Sequence, residues 1–146
     1  MRTLIIPCGG RKYIDGKPLY LFRHPNGKRM IEWCMAGISP EDFDRILVVL
    51  LQEDVDAFGA DRIILDELSG KYPIEVVALP EQTSGPADTV YQAITLAKVQ
   101  GAVVVKDVYN HVRVPREQIT QGNFVAGLDL NLWERDIHNL RNKSFL

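Results

Sequence analysis

The chain has 146 residues, 46% of them hydrophobic and 25% charged, with 17 Lys and Arg against 19 Asp and Glu and a net charge of -2. That is enough apolar side chain for one domain around one core, and too much for a globally disordered chain. No basic excess points to nucleic acid, and the apolar runs, such as Ile46–Leu51, are too short to span a bilayer.

Met1-Arg2 leads straight into Thr3-Leu4-Ile5-Ile6, which reads as a first strand rather than a secretory leader. The strand runs from Thr3 to Pro7 and stops at Cys8-Gly9-Gly10. Arg11–Asn26, with Gly16, Pro18 and Pro25, reads mostly as loop. From Lys28 the residues Met30, Ile31, Cys34, Met35 and Ile38 recur at helical spacing, and the helix ends before Ser39-Pro40. Arg45–Leu51 is a continuous aliphatic run suited to a strand covered on both faces. A second helix is expected from about Glu53 to Leu68, weakened at Gly59. Pro73–Leu79 is a third strand. Thr83 or Ser84 is placed to cap a third helix with Pro86 in its first turn and Val90, Ile94 and Ala97 on its buried face. Gly101–Val105 is a fourth strand, Asn123–Leu130 a candidate fifth, and Trp133–Lys143 is charged and poorly patterned. Two cysteines, Cys8 and Cys34, stand in no metal-like spacing, so a reduced, cytoplasmic protein is expected.

Alternating strands and helices predict an α/β fold in one domain spanning 1–146: a three-layer, Rossmann-like, mostly parallel sheet with helices on both faces. Ligands in such sheets bind outside the carboxyl ends of the strands. That rule selects the loop after Pro7, the Gln82–Gly85 loop after the third strand, and Asp107 after the fourth. Cys8-Gly9-Gly10-Arg11-Lys12 combines backbone freedom with positive charge, as a polyphosphate requires, or is simply a tight turn. It is neither a Gly-x-Gly-x-x-Gly fingerprint nor a P-loop. Lys17 is a second candidate phosphate ligand or an ordinary surface lysine. Gln82 is suited to pair with a base edge while Gly85 leaves room for a flat ring, or the segment only caps a helix. Asp107, at the end of a buried strand, needs a cation, a partner such as Lys106, or a turn to cap. Cys8 has no evident base beside it and reads as a small buried thiol. His24, His111 and His138 make no metal spacing, and Trp33 and Tyr91 read as packing residues.

Taken in order, these segments resemble the sugar-phosphate nucleotidyltransferases of the GT-A, Rossmann-like fold. Ile5-Ile6-Pro7-Cys8-Gly9-Gly10-Arg11 resembles their opening strand and glycine loop, and Lys17-Pro18-Leu19 the lysine motif. Asn26-Gly27-Lys28-Arg29-Met30-Ile31-Glu32-Trp33 is similar to their first helix start. Gln82–Gly85 through Thr89-Val90-Tyr91 resembles the base-recognition loop, and Lys106-Asp107 the metal-bearing aspartate. The resemblance implies a nucleoside triphosphate and a sugar 1-phosphate as substrates, with a nucleotide sugar and pyrophosphate as products. It gives Pro7, Cys8, Gly9, Gly10 and Arg11 to the nucleotide and its triphosphate, Lys17 to phosphate, Gln82 and Gly85 to the base, and Asp107 to Mg2+. Arg11, Lys17 and Asp107 carry the catalysis, which rests on positioning and charge neutralisation.

The chain departs from the family in three places. The stretch from Gly10 to Lys17 is short and lacks the usual Gly-Thr-Arg run, as in relatives from capsule and surface-polysaccharide clusters. Those relatives often carry Asp-x-Asp after the fourth strand, where this chain has Tyr109 as the second member. The sequence ends at Asn142–Leu146, where the family's domain continues, so the expectation is the nucleotide half alone, with a homo-oligomer as one way to complete it. A GT-A glycosyltransferase taking a nucleotide sugar and a non-catalytic nucleotide-binding module stay open as alternatives.

Overall fold

In the computed structural model, which describes residues 1–123, a central strand β1 (Arg2–Pro7) carries side chains alternately to two faces. After Gly10 the chain makes a small hairpin, β2 (Tyr13–Ile14) and β3 (Lys17–Pro18), inside the stretch expected to be loop. Its two-residue turn, Asp15-Gly16, has φ of 50° and 73°, the left-handed pair that Asp-Gly supplies cheaply in hairpins. A turn of 3-10 helix at Leu19–Leu21 follows, then helix α1 (Met30–Met35).

Strand β4 (Arg45–Leu51) has the extent expected from its apolar run. The single helix expected over Glu53–Leu68 is two, α2 (Gln52–Phe58) and α3 (Ala60–Leu68), because Gly59 between them adopts φ 61° and ends the first. Strand β5 (Ile74–Leu79), helix α4 (Pro86–Leu96), strand β6 (Ala102–Val105) and the short helix α5 (Arg116–Thr120) complete the described elements. The fifth strand expected over 123–130 and the charged segment 133–143 lie outside the described residues.

The sheet is parallel throughout, in the order β5-β4-β1-β6. Moving outward from β1 to β4 to β5 keeps the crossover helices on one face; returning past β1 to β6 moves the connection to the other. Leu4, Ile6, Ile46, Val48 and Leu50 accordingly share a cluster with Ile31, Cys34 and Met35 of α1 and Ile64 and Leu68 of α3. Ile5, Leu47, Val49, Leu51 and Leu79 pack on the opposite face with Ala93, Val90 and Ile94 of α4. The result is a Rossmann-like three-layer α/β fold.

Strand β6, expected to be a buried strand, is partly exposed. Val103 and Val105, in register with Thr3 and Ile5 on the α4 face, are 37% and 50% exposed. Tyr91, read as a packing residue, is exposed on α4, turned away from the face that buries Ala93. No helix among the described residues is long and apolar enough to cross a membrane.

Candidate functional site at the carboxyl edge of the sheet

Open α/β sheets take ligands at the carboxyl ends of their strands, and there the chain leaving β1 and the chain leaving neighbouring β6 pack on the same face of the sheet. Pro7, the last residue of β1, is paired with Val49. Cys8 continues the ladder by donating its N–H to Val49 O at 2.8 Å; it and Gly9 are buried, and Gly10 is exposed at the rim. Burial pushes the Cys8 thiol well up, with the charges of Cys34, Asp107 and Asp54 adding to it. It therefore stays protonated and is a packing thiol rather than a nucleophile. Cys34, buried in α1, is pushed up to about 12, again chiefly by burial.

The glycines at this edge are not there for the turn. The glycines of positive φ are Gly16, Gly27, Gly59, Gly101 and Gly122, a set that includes none of Gly9, Gly10 and Gly85. A Cβ built on Gly10 or Gly85 meets no atom of the described residues within 4 Å, and one on Gly9 meets the Thr89 side chain at an ordinary 3.5 Å. Neither a left-handed backbone nor a crowded neighbour demands glycine here, although the segment does close a tight turn in which Lys12 N–H donates to Gly10 O at 2.9 Å. What the missing side chains do leave is open space at the rim.

The Gln82–Gly85 loop is ordered by the helix it precedes. Thr83 Oγ1 and Thr89 Oγ1 share a 2.5 Å hydrogen bond, and the hydroxyl that accepts it donates its own proton to Gly85 O, which lies 3.1 and 3.2 Å from the two oxygens. Asp88 accepts from Ser84 N–H and Ser84 Oγ, each at 3.0 Å, and from Gln92 Nε2; the Ser84 amide leads in holding its carboxyl below the usual range. Capping thus runs opposite to expectation. Gly85 occupies the N-cap without a side-chain bond, and Ser84 is a donor to Asp88 rather than an acceptor from helix amides. Gln82 is exposed, and Thr89 stands beside Gly9.

Asp107 is exposed, so the cost of burying a carboxylate does not arise there. Its Oδ1 accepts Tyr109 N–H at 3.1 Å and its Oδ2 accepts Asn110 Nδ2 at 2.9 Å, an Asx turn. The buried charge is its neighbour: Lys106, 6% exposed, donates to Asp107 O at 2.7 Å, to Asn110 O at 2.6 Å and to Asn110 Oδ1. The loop is also held from outside. Gly37 lies so close to Val112 that a Cβ would stand 2.1 Å from Val112 O, and Val114 N–H donates to Gly37 O at 3.0 Å. Trp33 of α1 is sandwiched between His24, stacked at 4.7 Å, and His111, tilted at 4.9 Å. The two histidines lie far apart in sequence, and no local pattern announces this arrangement.

The two cations of the glycine loop have partners. Arg11 forms a two-pronged pair with Glu53, Nε to Oε1 at 2.8 Å and Nη2 to Oε2 at 3.1 Å. Lys12 sits 4.6 Å from the centre of the Tyr109 ring, joining the β1 loop to the β6 loop. Lys17 rides on β3 with its ammonium 5.8 Å from the Phe22 ring centre. The hairpin is fastened by Asp54, 2% exposed, whose Oδ1 accepts Tyr13 OH at 2.6 Å and whose Oδ2 accepts Tyr20 OH at 2.9 Å. Burial, then the bond to Asp54, pushes the Tyr13 and Tyr20 hydroxyls up, so both remain donors. Sequence reading missed Glu53, Asp54, Tyr13 and Tyr20, because their partners lie 34 to 42 residues away.

The structure thus brings Cys8–Lys12, Gln82–Gly85 and Asp107 to one edge, with Lys17 on the adjoining hairpin. Among the described residues no three His, Cys, Asp or Glu side chains converge to hold a metal by themselves. A cavity of about 490 Å³, lined by Met1, Arg2, Asp42, Asp44, Gly101 and Ala102, opens at the opposite edge, and its acids already accept from Arg2 and Arg116. Comparison of the chain with protein-family models and with curated proteins returned no match.

Proposed function

We propose that this edge binds a nucleoside triphosphate, and that the chain is a nucleotidyltransferase-like domain of GT-A type acting with a sugar 1-phosphate. The observation that carries the reading is the pair of unforced glycines, Gly10 and Gly85, on two loops at the carboxyl edge of the parallel sheet. Backbone without side chains at that place lets a phosphate chain and a flat ring come close to the main chain. Gly9, Gly10 and Arg11 would take the triphosphate, Lys17 a further phosphate oxygen, and Gln82 with Gly85 the base.

Asp107 suits Mg2+ in one particular sense. Asp107 is an exposed carboxylate whose oxygens accept from Tyr109 N–H and Asn110 Nδ2, and it would offer Mg2+ one hard ligand. Mg2+ is commonly held by one or two carboxylates, substrate phosphates and waters, a donor set that such a residue can join without a protein cage. The ion would supply neutralisation of phosphate charge. The chain's own contribution is positional: the loop bearing Asp107 is pinned by Lys106, Gly37 and the Trp33 stack, so its carboxylate is preorganised.

Calorimetric titration with CTP, UTP, dTTP, ATP and GTP, each with and without Mg2+, tests the reading. Binding of one base that strengthens with Mg2+ is the expected result, and pyrophosphate release on adding sugar 1-phosphates identifies the reaction. Asp107→Asn keeps an oxygen for Tyr109 N–H but loses the charge. It is expected to abolish the Mg2+ dependence while leaving the melting temperature close to wild type. Failure of all five nucleotides to bind refutes the proposal.

A further inference from the structure

Arg11 is the one guanidinium in the glycine loop, and it is already held by a carboxylate. The pair is two-pronged, yet the side chains of Arg11 and Glu53 are 52% and 47% exposed. Exposed pairs of this kind are weak, because water screens them and two long side chains lose freedom to form them. Among the described residues Glu53 is otherwise reached only by Tyr13 OH at 3.4 Å, and that hydroxyl makes its shorter bond, 2.6 Å, to Asp54. The adjacent acids therefore differ in burial and in partners. Asp54 is buried between two tyrosine hydroxyls and fixes the hairpin, whereas Glu53 is released once Arg11 finds a better partner.

We infer that Glu53 is a displaceable internal anion that occupies the phosphate-binding face of Arg11 in the free protein and must be exchanged for ligand phosphate. This rests on the triphosphate reading of the glycine loop. Its consequence is a common cost: every anion that uses Arg11 must first displace the carboxylate, so affinity is lowered for each by the worth of the pair, and a ligand with contacts beyond Arg11, such as a polyphosphate, is the one that still binds. Glu53 acts through Arg11 and touches no reacting atom.

The test is calorimetric titration of the full chain with inorganic tripolyphosphate, using wild type, Glu53→Gln, Arg11→Gln and the double variant. Glu53→Gln keeps the side chain's size and lies at the surface, so its melting temperature is expected to stay near that of wild type. It is expected to bind tripolyphosphate about fivefold more tightly than wild type, the worth of one exposed pair. In the Arg11→Gln background the same change is expected to gain less than about twofold, because no guanidinium remains to be released. An equal gain in both backgrounds overturns the inference, since Glu53 would then act as a plain negative charge. Unchanged affinity in Glu53→Gln, with wild type binding, overturns the latch and leaves the triphosphate reading standing. No binding by wild type or by Glu53→Gln overturns both.

Discussion

Replacing Glu67 probes how the segment between the hairpin and α1 is held. Arg29 places Nε 2.6 Å from Glu67 Oε2 and Nη2 2.6 Å from Oε1, and donates Nη1 to Leu21 O at 2.5 Å. Arg23 adds a third contact to Oε1 at 3.0 Å, from a side chain that is 55% exposed. Breaking one side of a fully buried pair costs about 3–5 kcal/mol, because the other charge is stranded. Arg29 is 14% exposed and Glu67 31%, so water relieves part of that; Glu67→Gln is expected to cost roughly 2–3 kcal/mol, the exposed Arg23 adding little. At about 4 °C per kcal/mol for a domain of this size, the midpoint falls by roughly 8–12 °C at neutral pH. The bond to Arg29 is the main reason the Glu67 carboxyl lies below its ordinary value of 4.5. Its contribution is therefore complete above that value and is lost as pH falls from there through the depressed folded value. Thermal unfolding of both proteins from about pH 7 down to about pH 3 checks this. A drop under about 2 °C at neutral pH, or a difference that does not shrink on acidification, refutes the reasoning.

Thr3 is fully buried with its Oγ1 unpartnered among the described residues, so Thr3→Val is expected to stabilise the fold by about 1 kcal/mol in urea unfolding. Gly37→Ala drives a methyl into Val112 O; a loss of about 2–3 kcal/mol is expected, together with faster amide exchange at Val114. Tyr20→Phe strips one oxygen of buried Asp54 of its donor and is expected to cost about 2 kcal/mol by denaturant titration, more than the same change at the 39% exposed Tyr13. Cys8 and Cys34 are buried with raised thiols, so neither is expected to react with a disulfide reagent until the protein unfolds.

The parts of the molecule that were legible are those set by short-range pattern. Arg45–Leu51 is a strand from end to end because the six apolar residues Ile46–Leu51, without a break in hydrophobicity, have one place to go, the middle of a parallel sheet. Gly59 was visible as a weak point, and its left-handed backbone turns that weakness into a break between helices. The Tyr13–Pro18 hairpin was less visible because each strand is two residues long, too short for any periodicity; Asp15-Gly16 was its only signal. At the site, the edge was legible from topology and the partners were not. Arg11 reads as free positive charge until the fold brings Glu53 to it across 42 residues. Asp107 reads as a carboxylate in need of a cation until its exposure and its Asx turn are seen, with Lys106 bearing the burial in its place.

The central place of β1 also shapes how the chain must come together during synthesis. One neighbour of β1 is complete at Leu51, but the other is not complete until Val105. At synthesis rates of about 5–20 residues per second, that side of β1 waits roughly 3–10 s with its main-chain donors and acceptors open. α4, which covers Ile5, Leu47 and Val49, also arrives within that interval. A chain paused after β5 therefore presents an apolar face and an unpaired parallel edge at the same time, the combination that invites strand addition by other nascent chains. Translation slowed between codons 80 and 105 is where this fold is most exposed to aggregation, and where a holdase chaperone has the most to protect.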